Sequence, residues 1–167
     1  MFDLDKKDCT LVHINLRDEK HGEENVLAVD LKFKGDFDGD ILAEFAPDLR
    51  HSLYKMAEGG DLADQASTVP TALRFPKMIQ PLKFDMDIIG AAVTLAYGLG
   101  DLDLDTCDVN NFKLECHDGG TVSVTYRVQA KPTGDQLAKI SMMLGSAVSV
   151  SIDSPQAANE QPELKAA

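Results

Sequence analysis

The sequence predicts an α+β domain, mainly an antiparallel sheet of about six to eight strands with two helices packed on one face. Three observations predict it. Apolar and polar residues alternate with period two along most of the chain, the mark of half-buried strands. Most stretches between strand segments are too short to hold the crossover that parallel pairing requires. Only two segments carry helix boundary signals, residues 47–57 and 134–144. A chain of 167 residues suits one domain and buries a core without disulfide or metal support. We expect that domain over 1–152. The residues after it, 153–167, read as a flexible polar tail of Pro, Gln, Ala, Asn and Glu that can bury almost nothing.

The elements follow in order. Val12, Ile14 and Leu16 alternate with Leu11, His13 and Asn15. Leu27, Val29, Leu31 and Phe33 then alternate with Ala28, Asp30 and Lys32. The charged stretch 17–25, with Gly22, connects them as a hairpin. Residues 37–45 read as a short strand or an irregular lead-in. Pro47 suits the first position of a helix, and Asp48 suits its positive end. Leu49, Leu53 and Met56 share one face, and Gly59 and Gly60 end the helix. The small, polar stretch 58–71 reads as an exposed loop, and 73–81 as an extended segment broken by Pro76 and Pro81.

Leu82, Phe84, Met86 and Ile88 alternate with Lys83, Asp85 and Asp87. Residues 91–97 form or continue a strand. Leu102 and Leu104 alternate with Asp101, Asp103 and Asp105. Phe112, Leu114 and Cys116 lead into His117-Asp118-Gly119-Gly120, a strong turn signal. The return strand sets Val122, Val124, Tyr126 and Val128 against Ser123, Thr125, Arg127 and Gln129. Thr133 with Gln136 makes a capping box for the second helix, and Gly145 stops it. Val148, Val150 and Ile152 form the last strand.

Composition then narrows function. Sixteen Lys and Arg face 28 Asp and Glu, a net charge of −12 that repels phosphates and anionic membranes and attracts basic partners. Three cysteines without a pairing pattern fit a reducing compartment. No apolar signal region opens the chain, and the apolar run 88–99 is too short to span a bilayer. The expected location is cytoplasmic.

No motif supplies chemistry. A calcium loop starting at Asp36 needs Gly at its sixth position and Glu at its twelfth, which here are Ile41 and Pro47. A loop starting at Asp101 fails the same test, since its twelfth position is Phe112. Cys107, Cys116 and His117 lack the spacing of a metal site. Adjacent strand residues such as Cys116 and His117 point to opposite faces, so they do not form a thiol and its base. We expect no catalytic residue, cofactor or metal.

Two surfaces remain. Asp85, Asp87, Asp101, Asp103 and Asp105 project from the wet faces of expected strands. Same-face residues stand about 6.7 Å apart, close to the phosphate step of nucleic acid. Such a ladder offers a nucleic-acid-like array to a basic protein, unless it is simply a solvated face that discourages edge association. The one basic window, Arg74, Phe75, Lys77 and Lys83, is the alternative. It would bind single-stranded DNA directly, although such sites usually hold several stacking aromatics.

The segments Pro47-Asp48-Leu49-Arg50-His51-Ser52-Leu53-Tyr54, Leu73-Arg74-Phe75-Pro76 and Gly120-Thr121-Val122-Ser123-Val124-Thr125-Tyr126-Arg127-Val128 resemble small uncharacterised accessory proteins of tailed phages and prophages. The resemblance covers most of residues 8–153 and carries no catalytic residue. It implies a bacterial host cell and either of two roles. One is an inhibitor of a host-defence nuclease or complex, acting through the acidic face on a basic nucleic-acid-binding protein. The other is an accessory to single-stranded DNA recombination or replication. A self-assembling structural protein is a third class.

Overall fold

The computed structural model describes residues 2–58, 69–98 and 100–155. Its strands are β1 (Leu4–His21), β2 (Glu24–Asp38), β3 (Tyr54–Lys55), β4 (Ala72–Leu73), β5 (Leu82–Phe84), β6 (Ile88–Tyr97), β7 (Gly100–Cys116), β8 (Thr121–Ala130) and β9 (Ala147–Asp153). A 3-10 helix spans Gly39–Glu44, α1 spans Leu49–Leu53 and α2 spans Gly134–Met142. The molecule is therefore mostly antiparallel sheet with few helices. The expected loop at 58–71 and the tail fall largely outside the described residues, as do Gly59 and Gly60.

The main sheet runs β5-β7-β6-β9-β1-β2-β8, and β8 also pairs with β7. That last pairing closes a ring, β1-β2-β8-β7-β6-β9, in which every pairing is antiparallel. β5 lies on the same edge of β7 as β6, one stretch further along. Closure turns the apolar face of every strand inward, onto itself. Leu31, Phe33, Leu95, Val109, Val124, Tyr126 and Val150 are all buried there. An aromatic cluster fills the centre: Phe112 lies 5.0 Å from Phe2 and 6.3 Å from Tyr126, and Phe33 stacks on Tyr126 at 5.7 Å.

Two helices layered on one open face are not what the ring contains. The connection from β2 to β6 joins strands three places apart around the ring, and so does the connection from β8 to β9. Strand directions alternate around it, so each connection crosses a different mouth. The first brings Phe45 against Phe2, Phe84 and Phe112, at 5.2–5.5 Å. The second carries α2, which buries Ile140, followed by the buried Met143. The chain after α2 is tied to β1 by Gly145 N–H donating to Leu11 and Leu11 N–H donating to Ser146. The predicted capping box of Thr133 and Gln136 is formed, with both reciprocal hydrogen bonds. The first expected helix is only five residues long, because Tyr54 at its end is already extended and enters β3.

Bulges keep apolar side chains inward while the strands bend. β7 carries two, marked by positive φ at Thr106 and Asn111. Its buried residues step from Leu104 to Cys107 and from Val109 to Phe112, three positions instead of two. A register shift between Leu11 and His13 acts likewise on β1. It buries Leu11 and leaves Val12 and Leu16, both expected in the core, 43% and 56% exposed.

Candidate charged interfaces

The five candidate aspartates are all exposed, but they form two groups. Asp101, Asp103 and Asp105 project outward from the first half of β7, as expected. Asp103 stands opposite Thr94 of β6, whose hydroxyl donates to it at 2.8 Å, and Asp101 stands opposite Ala96. The next strand continues this wall with Ser149 and Ser151 opposite Ala96 and Thr94. Small side chains thus leave the carboxylates standing clear. Among the described residues no cation lies within ion-pair distance of the three.

Asp85 and Asp87 do not continue that row. They lie in the break between β5 and β6, opposite the second bulge of β7. They line a depression of about 460 Å³ with Lys83, Asn110, Asn111 and Arg127. Ile88 pairs with Val109, so this end of the wall is on the order of 20 Å from Asp103 at the strand rise. The five therefore make a row of three and a separate pair in mixed-charge surroundings. No two of the three in the row are cross-strand neighbours, so the row carries no directly opposed acids.

The basic window is also divided. Arg74 Nε and Nη2 donate to the His51 carbonyl at 3.1 and 2.9 Å, and Nη2 also donates to the Tyr54 carbonyl at 3.2 Å. That guanidinium braces the end of α1 against the short β3–β4 pair. Phe75 is 55% exposed and Lys77 is exposed. Lys83 belongs elsewhere, opposite Lys113 on the barrel wall.

Asp36, His117 and Ser123, which the sequence does not group together, meet at the start of β8. Ser123 is buried, donates to Asp36 at 2.5 Å and lies 2.9 Å from His117 Nε2. The residue types are those of a hydrolase triad, but the order is wrong. The hydroxyl proton is already given to the carboxylate, so His117 donates to Ser123 rather than accepting from it. A serine nucleophile needs its base on the hydroxyl proton and a third group behind the base. The trio acts as a clasp between β2, β8 and the β7–β8 turn. That turn needs Gly119 and Gly120, with φ of +100° and +95°. It is strapped to the crossing connection by Tyr54, whose hydroxyl lies 2.8 and 3.2 Å from the His117 and Thr121 carbonyls.

Other reactive types are engaged within the fold. Arg50 reaches Asp38 and Asp40, the carboxylates of the apparent calcium loop. Cys9, Cys107 and Cys116 are all buried and free. Burial pushes the Cys9 thiol up to about 11, against a lowering contact from the Tyr126 hydroxyl. It pushes Cys107 up to about 12, aided by Asp108 and Asp105. Thiols held protonated in this way are poor nucleophiles. Among the described residues no group of three His, Cys, Asp or Glu could hold a metal, and no helix is long and apolar enough to cross a membrane.

No family model matches the chain, and no curated protein or solved structure matches it.

Proposed function

We propose that this is a non-enzymatic binding protein that presents an acidic, nucleic-acid-like row to a basic nucleic-acid-handling protein. The observation that carries the reading is the row Asp101, Asp103 and Asp105, exposed on one strand face without a cation partner among the described residues. Its two-residue step of about 6.7 Å suits side chains that bind successive phosphates. The resemblance to phage accessory proteins points the partner toward a host-defence complex in the bacterial cytoplasm. Asp85 and Asp87 stand apart from the row and contribute little to the same contact.

The test is capture from a bacterial lysate at low salt. The triple variant Asp101→Asn, Asp103→Asn, Asp105→Asn should lose at least about tenfold in partner recovery while keeping its unfolding midpoint. The pair Asp85→Asn, Asp87→Asn should lose much less. Undiminished capture by the triple variant sinks the reading. The exposed Phe75 favours the alternative, direct binding of single-stranded DNA. No gel shift at about 50 mM salt, where electrostatic binding is strong, would remove it.

A further inference from the structure

Like charges stand face to face twice on the barrel's outer wall. Lys32 on β2 is opposite Arg127 on β8, and Lys83 on β5 is opposite Lys113 on β7. Lys34 lies one outward position beyond Lys32, opposite Thr125, which is also the neighbour of Lys113. These cations form one band across β5, β7, β8 and β2. Directly opposed like charges destabilise a sheet. Among the described residues no carboxylate comes within ion-pair distance of any of them, although acids outnumber cations in the chain. The nearby Asp30 pairs with Arg17 instead, at 2.9 Å. Lys32, Lys113 and Arg127 edge a shallow depression of about 240 Å³ that His13, Asn15, Asn111 and the Arg17-paired Asp30 also line. The band is thus a concave cationic surface without a direct ion pair, bordered by Asp30 on one side and by Asp85 and Asp87 on the other.

We propose that the band docks the acidic row of a second copy of this chain. The inference rests on the reading of Asp101, Asp103 and Asp105 as an interface, and it names one basic surface that fits them. The acidic row steps about 6.7 Å along β7, and Lys32 and Lys34 take the same step along β2, so two carboxylates meet two cations in register while Lys113 and Arg127 flank them on the neighbouring strands. The two cannot pair within one molecule. Asp103 and Lys113 lie on the same strand ten positions apart (113 − 103), on the order of 30 Å, well beyond the screening length of about 8 Å. The contact closes a two-fold dimer where row and band meet reciprocally, and builds a ring or an open chain where they meet head to tail. Exposed ion pairs are individually weak, so the assembly is weak and sensitive to salt. It leaves the row free for a tighter basic partner. Nucleic acid is the competing occupant. The lack of an aromatic side chain at the band's outward positions favours the acidic protein face.

Sedimentation of three proteins tests this. The wild-type chain should at least double its apparent mass in about 50 mM salt at high concentration and return to monomer in about 500 mM salt. Lys32→Glu with Lys113→Glu, which relieves the opposed charges and leaves the core untouched, should stay monomeric. The triple Asp→Asn variant of the acidic row should also stay monomeric. Mixed one to one, these two retain one intact band and one intact row, and should form a two-chain complex that grows no further. A wild-type chain that stays monomeric in low salt, or a mixture that does not associate, overturns the proposal. So does wild-type binding of labelled single-stranded DNA that the Lys→Glu variant loses, in a chain that remains monomeric. If the mixed complex forms while the triple variant still captures a basic host protein, the functional reading fails and self-association stands. The reverse pattern leaves the functional reading intact and removes self-association.

Discussion

Arg74 and Gly35 show what a single position can hide. In the sequence Arg74 looks like a free cation beside an exposed ring, whereas in the folded chain it bridges two backbone carbonyls. Arg74→Ala should therefore cost stability, about 1–3 kcal/mol by urea unfolding, because charge-assisted hydrogen bonds to the His51 and Tyr54 carbonyls are lost. A variant that merely weakened nucleic-acid binding would leave the midpoint in place. Gly35 sits in a strand, where glycine ordinarily weakens pairing. A Cβ there would come 2.8 Å from Cys9 Sγ and 2.9 Å from the Phe37 ring. Gly35→Ala should overpack the wall and cost about 1–3 kcal/mol, seen as a lower unfolding midpoint. Neither role was legible in the sequence, since both depend on partners brought in from another strand or turn.

At the scale of elements, β7 decides where the charged groups fall. Its acidic half and its 112–116 half read as separate strands because the alternation breaks between them. The breaks are bulges, and the strand continues through both. Alternation found each half and its inward face. It could not find their union, because a bulge looks like an end to a strict period of two. Asn111 holds φ at +62°, a left-handed conformation that Asn tolerates and β-branched residues resist. Asn111→Val should cost roughly 1–2 kcal/mol in unfolding free energy, and Asn111→Gly should cost little. Equal effects of the two substitutions would mean the bulge relaxes. The second helix was legible to its cap, since a capping box is a local device. The first was overestimated, since the demand that Tyr54 reach the β7–β8 turn ends it early.

Across the whole molecule, closure of the ring places the cysteines in an apolar interior and makes stability depend on alkaline pH. Burial raises Cys9 to about 11 and Cys107 to about 12, above the ordinary thiol value near 9. Folded thiols hold their protons longer than unfolded ones. Their contribution is therefore complete below about pH 8.5 and is lost as pH rises through the raised values. The urea midpoint should fall between about pH 9 and 11, by roughly 1 kcal/mol per pH unit for each thiol. Cys107→Ala should lower stability at neutral pH but flatten that fall. A midpoint as steep in the variant as in the wild type would assign the dependence to other groups, such as the buried Tyr126 hydroxyl, which burial and the neighbouring Cys9 also push up.

The sequence by itself determined the local facts: antiparallel strands, their inward residues over most of the chain, the Gly119-Gly120 turn, the capped helix, and a surplus of acid. These follow from side-chain period and backbone preference, which act between neighbours in the chain. Only the tertiary structure decided that the sheet closes, that a helix crosses one mouth, and that Asp85 and Asp87 stand apart from Asp101, Asp103 and Asp105. It alone brought Lys32, Lys34, Lys83, Lys113 and Arg127 into one band from four strands. Register between distant strands fixes which charges become neighbours, and no periodicity within a single strand carries that information.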